Sequence, residues 1–203
     1  MTRTISIIAA ALAALVVAGS AFFAFRPSDD IECGGGVVAG GDIGGPFELV
    51  REDGVTVTDQ DVFTKPTILY FGYTFCPDVC PLDSARNTEA LEILLENGYD
   101  VQAAFISIDP ERDTPEVVGE FTDIFHDRMI GLTGTPEQVA VASKAYKTYY
   151  NAHDEEDPEY YLVDHSTFTY LVMPDTGFAT FFKREATPEH IAETTACLID
   201  QSK

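Results

Sequence analysis

Apolar residues fall in short runs along this chain, and the spacing within each run separates strands from helices. Residues 67–73, from Thr67 to the Gly72-Tyr73 pair, are almost continuously apolar and rich in β-branched and aromatic side chains, the pattern of a buried strand. Residues 101–108 repeat that pattern and stop at Asp109-Pro110. Between the two, Ala85, Leu91, Leu94 and Leu95 recur at helical spacing over residues 84–97, and Asn97-Gly98 supplies a C-terminal stop. Upstream, residues 47–50 and 55–57 flank Glu52-Asp53-Gly54, where Asp-Gly signals a β-hairpin with a type I′ turn. Three downstream helices open alike. Thr114-Pro115-Glu116, Thr135-Pro136-Glu137 and Thr187-Pro188-Glu189 each offer an N-cap hydroxyl, a proline at the first helical position and an acid in the first turn. Residues 160–163 and 167–173 have strand character and are interrupted by Asp164-His165-Ser166; Pro174-Asp175-Thr176-Gly177 then turns the second into residues 178–182. The order is hairpin, βα, βα, α, β-hairpin, α. It predicts an α/β domain whose mixed sheet is covered on both faces, with ligands outside the carboxyl ends of its strands.

The N-terminus breaks this alternation. Residues 5–25 carry no charge and few polar groups, and about 20 such residues match the hydrocarbon core of a bilayer. Arg3 precedes the run, whereas Asp29, Asp30 and Glu32 follow Arg26, so the positive-inside rule places the N-terminus in the cytoplasm and the domain outside. The apolar run continues through Phe22, Phe23 and Phe25 beyond the small residues Ala18-Gly19-Ser20-Ala21, which favours an uncleaved anchor over a cleaved signal peptide. No Arg- and Ser-rich presequence precedes it, which points to bacterial export: a single pass through the inner membrane with the globular domain in the periplasm. The expected layout is an N-terminal transmembrane anchor with a short cytoplasmic end over residues 1–26, a Gly-rich spacer over 27–45 and one folded domain over 46–203.

Charge narrows the partners. The chain carries 12 Lys and Arg against 34 Asp and Glu, a net charge of −22, which argues against nucleic acid or anionic headgroups as ligands. Part of the excess sits in Asp154-Glu155-Glu156-Asp157-Pro158-Glu159, a run better suited to a loop than to a metal site.

The candidate chemistry lies in Cys76-Pro77-Asp78-Val79-Cys80, where the 67–73 strand runs into a helix. Free N–H groups and the positive end of the helix dipole favour thiolate there, so both cysteines are expected to have depressed pKa values. If the intervening segment is helical, their i and i+4 positions share a face, with sulfurs close enough to bridge or chelate. Two closely spaced cysteines serve thiol oxidoreductases, metal carriers and plain disulfides alike, so a third group has to decide. His165, beside Asp164 between two predicted strands, is the histidine placed to return to that end of the sheet.

Four stretches carry a resemblance. Phe71-Gly72-Tyr73-Thr74-Phe75-Cys76-Pro77-Asp78-Val79-Cys80-Pro81, Ile108-Asp109-Pro110-Glu111-Arg112-Asp113-Thr114-Pro115, Gly131-Leu132-Thr133-Gly134-Thr135 and Val163-Asp164-His165-Ser166 resemble, in order, the signatures of the Sco/SenC family. The likeness runs from about Asp42 onward. It implies a thioredoxin-like fold on a single membrane anchor, with copper bound by the positions that are Cys76, Cys80 and His165 here. It also implies a copper metallochaperone. Such a protein delivers copper to the binuclear copper site of cytochrome c oxidase, with that oxidase subunit as partner and another copper chaperone as donor. The alternative is a thiol:disulfide oxidoreductase that uses the same pair to keep the cysteines of that site reduced. A thiol peroxidase would need one low-pKa cysteine in a threonine- and arginine-bearing pocket, which the sequence does not single out. The chain departs from relatives at two points: Ser166-Thr167-Phe168 lacks the proline usual in thioredoxin relatives, and Phe75 stands where the family often has histidine. Two thiolates and an imidazole suit trigonal Cu(I), and Cu(II) if a weak ligand or water joins. Zinc would need a fourth ligand, from Asp78 or Asp164.

Cys33 and Cys197 stand outside these signatures. Asp30-Ile31-Glu32 is unlike the small apolar residues that precede a lipid-anchoring cysteine, and free thiols do not persist in an oxidising compartment. A structural disulfide between Cys33 and Cys197 is therefore expected.

Overall fold

A seven-stranded mixed sheet forms the centre of the computed structural model, which describes residues 33, 42–154 and 160–202. In chain order the elements are β1 (Glu48–Arg51), β2 (Thr56–Thr58), a single helical turn α1 (Asp59–Val62), β3 (Thr67–Gly72) and α2 (Val79–Glu96). There follow β4 (Gln102–Ser107), α3 (Pro115–Asp123), β5 (Met129–Thr133), α4 (Pro136–Ala145), β6 (Tyr150–Ala152) and β7 (Val163–His165). The chain closes with β8 (Thr169–Met173), β9 (Gly177–Phe182) and α5 (Pro188–Gln201). The sheet runs β2-β1-β5-β4-β3-β8-β9, and β6 and β7 form a separate two-stranded ladder.

The continuously apolar runs become the middle of the sheet. Strands β3, β4 and β5 are parallel, whereas β8 joins β3 antiparallel. Every residue of β3, β4 and β8 is buried, so both faces of the sheet are covered at its centre, as the pattern predicts. Helices α2 and α5 pack together, and α3 packs on β5. The three Thr-Pro-Glu openings behave as expected. Thr114, Thr135 and Thr187 each accept a backbone N–H through Oγ1 at 3.3 Å, from Val117, Gln138 and His190.

Several details differ from the pattern. The β1–β2 hairpin forms, but not through a type I′ turn. Gly54 alone has positive φ (81°), its N–H donates to Arg51 O at 2.8 Å, and Arg51 N–H donates to Val55 O at 2.9 Å. Asp53 does not take a positive φ, and its carboxylate accepts from the Arg51 guanidinium and from Val55 N–H. Helix α2 starts at Val79, ahead of the expected Ser84, and so takes Cys80 into its first turn. His165 does not interrupt a strand: it ends β7, which pairs with β6 in the register Tyr150↔His165 and Ala152↔Val163. Strand β5 was not expected. It fits between β1 and β4 because Gly131 brings no side chain where Val118, Glu52 and Thr122 crowd in.

Cys33 and Cys197 are joined in a disulfide with Cα atoms 5.6 Å apart, bonding a residue of the expected spacer to α5. Residues 5–25, most of the expected spacer and the acidic positions 155–159 lie outside the described residues. Among the described residues, no helix is long and apolar enough to cross a membrane.

Candidate metal centre

Strand β3 ends at Gly72, and the chain turns through Tyr73, Thr74 and Phe75 to place Cys76 just ahead of α2. Asp78 is the N-cap residue but makes no side-chain cap bond. The sulfur of Cys76 takes that part: Cys80 N–H donates to Cys76 Sγ at 3.3 Å. A helix N-terminus thus holds one sulfur from outside, through its free amides, and carries the other on its first turn.

The third donor comes from the separate ladder. At the end of β7, Nε2 of His165 lies 3.4 Å from Cys80 Sγ. Its Nδ1 is 2.8 Å from Ser166 O, a carbonyl that can only accept, so Nδ1 carries the proton and Nε2 presents a lone pair to the sulfurs. Ser166 N–H in turn donates to Tyr149 O at 2.9 Å. The ligand atoms of Cys76, Cys80 and His165 all lie within 4.8 Å of one another. All three residues singled out in the sequence therefore meet at one point. Asp78 and Asp164 do not join them; the Asp164 carboxylate is taken by His153 Nε2 at 2.8 Å. Two sulfurs and one imidazole make a soft set that could hold a metal ion, and among the described residues no carboxylate joins them to complete a tetrahedron for zinc.

The two thiols are not equivalent, contrary to the expectation that both are acidic. The hydrogen bond from the Cys80 thiol, then the amides of Cys80 and Asp78, hold Cys76 far below the usual thiol range, against the effect of burial. The same bond to Cys76 and complete burial push Cys80 well above it. Two thiolates this close in a buried site repel each other, so one proton stays on the inner sulfur.

The surroundings are aromatic and tightly packed. The rings of Tyr70 and Tyr73 meet the imidazole edge-on, with centroids at 6.3 and 5.9 Å. Tyr70 donates its hydroxyl to the buried Asp83 at 2.9 Å, and Asp83 pairs with Arg86 at 3.2 Å. Burial raises the pKa of Asp83, opposed by that hydroxyl and by Arg86 and Arg184. At Gly72 a Cβ would lie 3.0 Å from Cys80 Sγ, so the inner sulfur fits because that residue has no side chain.

The residues that hold the Cys loop went unrecognised in the sequence, where Asp109-Pro110 registers as a strand stop. Buried Asp113 accepts from Thr74 N–H at 3.0 Å, Thr74 Oγ1 at 2.6 Å and Ser107 Oγ at 2.5 Å, which ties the Cys loop to the end of β4. Asp109 accepts from Arg112 Nε at 2.6 Å and from the hydroxyl of Tyr161. Charged residues between a strand end and a helix cap were the available signal, since burial of such groups demands partners.

Comparison with known proteins agrees with this geometry. The SCO1/SenC family model matches residues 38–200. Protein SenC of Rhodobacter capsulatus is 56% identical over 162 residues, which span 80% of this chain and 73% of SenC. The structure of Arabidopsis thaliana ScoI with copper bound superimposes with a TM-score of 0.73 at 41% identity, covering 78% of this chain and 99% of that one. BsSco, a member of the Sco family of cytochrome c oxidase assembly proteins in which a disulfide switch has been identified, gives a TM-score of 0.60 at 26% identity over 75% of this chain and 91% of its own. The mixed α/β architecture is the thioredoxin-like Sco fold. With the family match covering the whole sheet and all three converging donors, the chain belongs to the SCO1/SenC family.

Proposed function

We propose that this chain binds copper through Cys76, Cys80 and His165 and delivers it to the copper-site subunit of cytochrome c oxidase. The observation that carries the reading is the convergence of the two sulfurs with an imidazole nitrogen whose tautomer leaves it free to coordinate. Copper is cargo here. As Cu(I) it would take the three donors in a trigonal arrangement, and as Cu(II) it would add a weak ligand or water. Incoming thiolates of the partner would displace the donors in turn through a shared intermediate, and another copper chaperone would load the site. Support for the oxidase as destination comes from the family, one member of which is described as a cytochrome c oxidase assembly protein.

In this reading residues 1–26 anchor the chain in the bacterial inner membrane, 27–45 act as a spacer, and 46–203 form the periplasmic copper domain. The Cys33–Cys197 bond supports an oxidising compartment.

Anaerobic copper titration of the reduced protein tests the assignment. The wild type should bind one equivalent tightly, and His165→Ala should weaken binding by at least about tenfold, the effect of about 1.4 kcal/mol. A second reading, a thiol:disulfide oxidoreductase that keeps the partner's cysteines reduced, draws on the Cys76–Cys80 pair, with one sulfur ionised and the other protonated. A pure reductase would tolerate His165→Ala in both copper binding and oxidase assembly, so that result would favour it over delivery.

A further inference from the structure

Residues 109–113, between β4 and α3, touch both halves of the metal centre. On one side Asp113 holds Thr74 of the Cys loop. On the other, Arg112 Nη1 donates to Tyr161 O at 2.9 Å, while Nε pairs with Asp109 at 2.6 Å and the Tyr161 hydroxyl also donates to Asp109. The guanidinium carbon lies 3.5 Å from the ring centroid of Tyr161, 4.8 Å from that of Phe75 and 5.8 Å from that of Tyr73. Phe75 and Tyr73 belong to the loop that presents Cys76, and Tyr161 leads into β7, which ends at His165. One cation, its side chain 11% exposed, therefore contacts the cysteine loop and the histidine hairpin together.

That contact matters because the β6–β7 ladder is not hydrogen-bonded into the main sheet. A two-stranded hairpin is marginal without support, so the place of His165 depends on what ties the hairpin down. Beside the cysteines, Tyr161 and Val163 are buried in the core, and among the described residues the hairpin is further tied by Val163 N–H to the Tyr73 hydroxyl at 3.3 Å and by the Arg112–Asp109–Tyr161 cluster. We propose that Arg112 is a positioning residue for the metal centre, clamping the hairpin that carries His165 against the loop that carries Cys76. The inference rests on the reading that His165 is a copper ligand. Lysine could not replace it, because an ammonium offers neither a planar fork that bonds Asp109 and the Tyr161 carbonyl together nor a flat face to stack on the tyrosine ring.

The test is a double-mutant cycle on the full chain, with Cu(I) affinity measured anaerobically by competition against a chromophoric chelator. The four proteins are wild type, Arg112→Lys, His165→Ala and the double variant. If Arg112 acts through His165, removing the imidazole costs about tenfold less affinity in the Arg112→Lys background than in the wild type. The Cu(II)–thiolate charge-transfer band of Arg112→Lys should also shift toward that of His165→Ala. A purely structural role would lower the melting temperature of the copper-free protein yet leave the His165→Ala penalty unchanged in both backgrounds, and that result overturns the proposal. If His165→Ala has no effect even in the wild type, the ligand assignment itself fails, and with it this inference. Tyr161→Phe removes only the hydroxyl bond to Asp109; it runs the same cycle with a smaller coupling should Arg112→Lys not fold.

Discussion

Gly72→Ala puts the packing behind the inner sulfur to the test. The added Cβ would lie 2.9 Å from the Tyr70 ring, 3.0 Å from Cys80 Sγ and 3.0 Å from the Phe105 ring, all closer than ordinary contact. The backbone cannot retreat, because Gly72 is paired in register with Ser107 and its carbonyl accepts Ile108 N–H at 2.9 Å. Tyr70 is tied through its hydroxyl to Asp83, and the Phe105 ring packs on Phe121 with centroids 4.8 Å apart. The group freest to move is the sulfur, and a displacement of a few tenths of an ångström takes it out of line with His165 Nε2. Overpacking of this kind costs about 1–3 kcal/mol, which for a chain of this size lowers the melting temperature by about 2–12 °C. If 1–2 kcal/mol of that falls on the sulfur, copper affinity drops about 5–30-fold. The control is Gly54→Ala in the β1–β2 turn, where φ is +81° and nothing lies within 4 Å. It should cost about 1 kcal/mol of stability through the left-handed backbone alone, with copper affinity unchanged. Calorimetry and anaerobic chelator competition on both variants supply the comparison. A Gly72→Ala protein that melts early but binds copper like the wild type would show that the rings, not the sulfur, make room.

Two further outcomes follow from other parts of the fold. The Cys33–Cys197 bond closes a loop of 164 residues, worth up to about 5 kcal/mol in the chain-entropy model. Cys33→Ser/Cys197→Ser should therefore unfold at clearly lower denaturant, with copper stoichiometry intact; unchanged stability, or alkylation of Cys33 in the folded oxidised protein, would contradict it. Burial raises the pKa of Asp113 in the fold, against hydrogen bonds from Ser107 and Thr74. A raised carboxylic acid gives stability that is present below the unfolded value of about 3.9 and is lost as pH rises through the folded value. Asp113→Asn lacks that titration, so the stability of the wild type relative to the variant should fall with rising pH in urea unfolding from pH 4 upward. A difference that is flat, or that grows with pH, refutes it.

What the sequence disclosed tracks how local each cause is. Strands β3, β4 and β8 are apolar throughout because both their faces are buried, and the three helix starts are legible because Thr-Pro-Glu completes its cap within four residues. Strand β5 escapes because Gly131 weakens a five-residue run, and the reason for that glycine lies in Val118 and Glu52, far away along the chain. Strand β6 is short and largely exposed, so it has no apolar pattern to find. His165 looks like a break because Asp164 beside it is polar, yet Val163 points inward and Asp164 outward, the alternation of a strand with one wet face.

The site shows the same limit in its chemistry. Helix-start amides and the dipole act on any sulfur near the first turn of α2, so an argument from spacing treats Cys76 and Cys80 alike. Depth separates them. Cys76 is 9% exposed and gathers the amides of Cys80 and Asp78, whereas Cys80 is wholly buried against Gly72 and donates its own proton to Cys76. Which sulfur keeps the proton is thus decided by a strand residue four positions before Cys76 and by how closely α2 approaches it. The same holds for Arg112 and Asp113. Their charges suggest a solvated loop in the sequence, but each is desolvated and spent on a partner, Tyr161 or Thr74, in a segment that carries one of the converging donors. A buried charge is tolerated only where its partners are supplied, so these two residues mark where the fold fixes the geometry on which copper binding would depend.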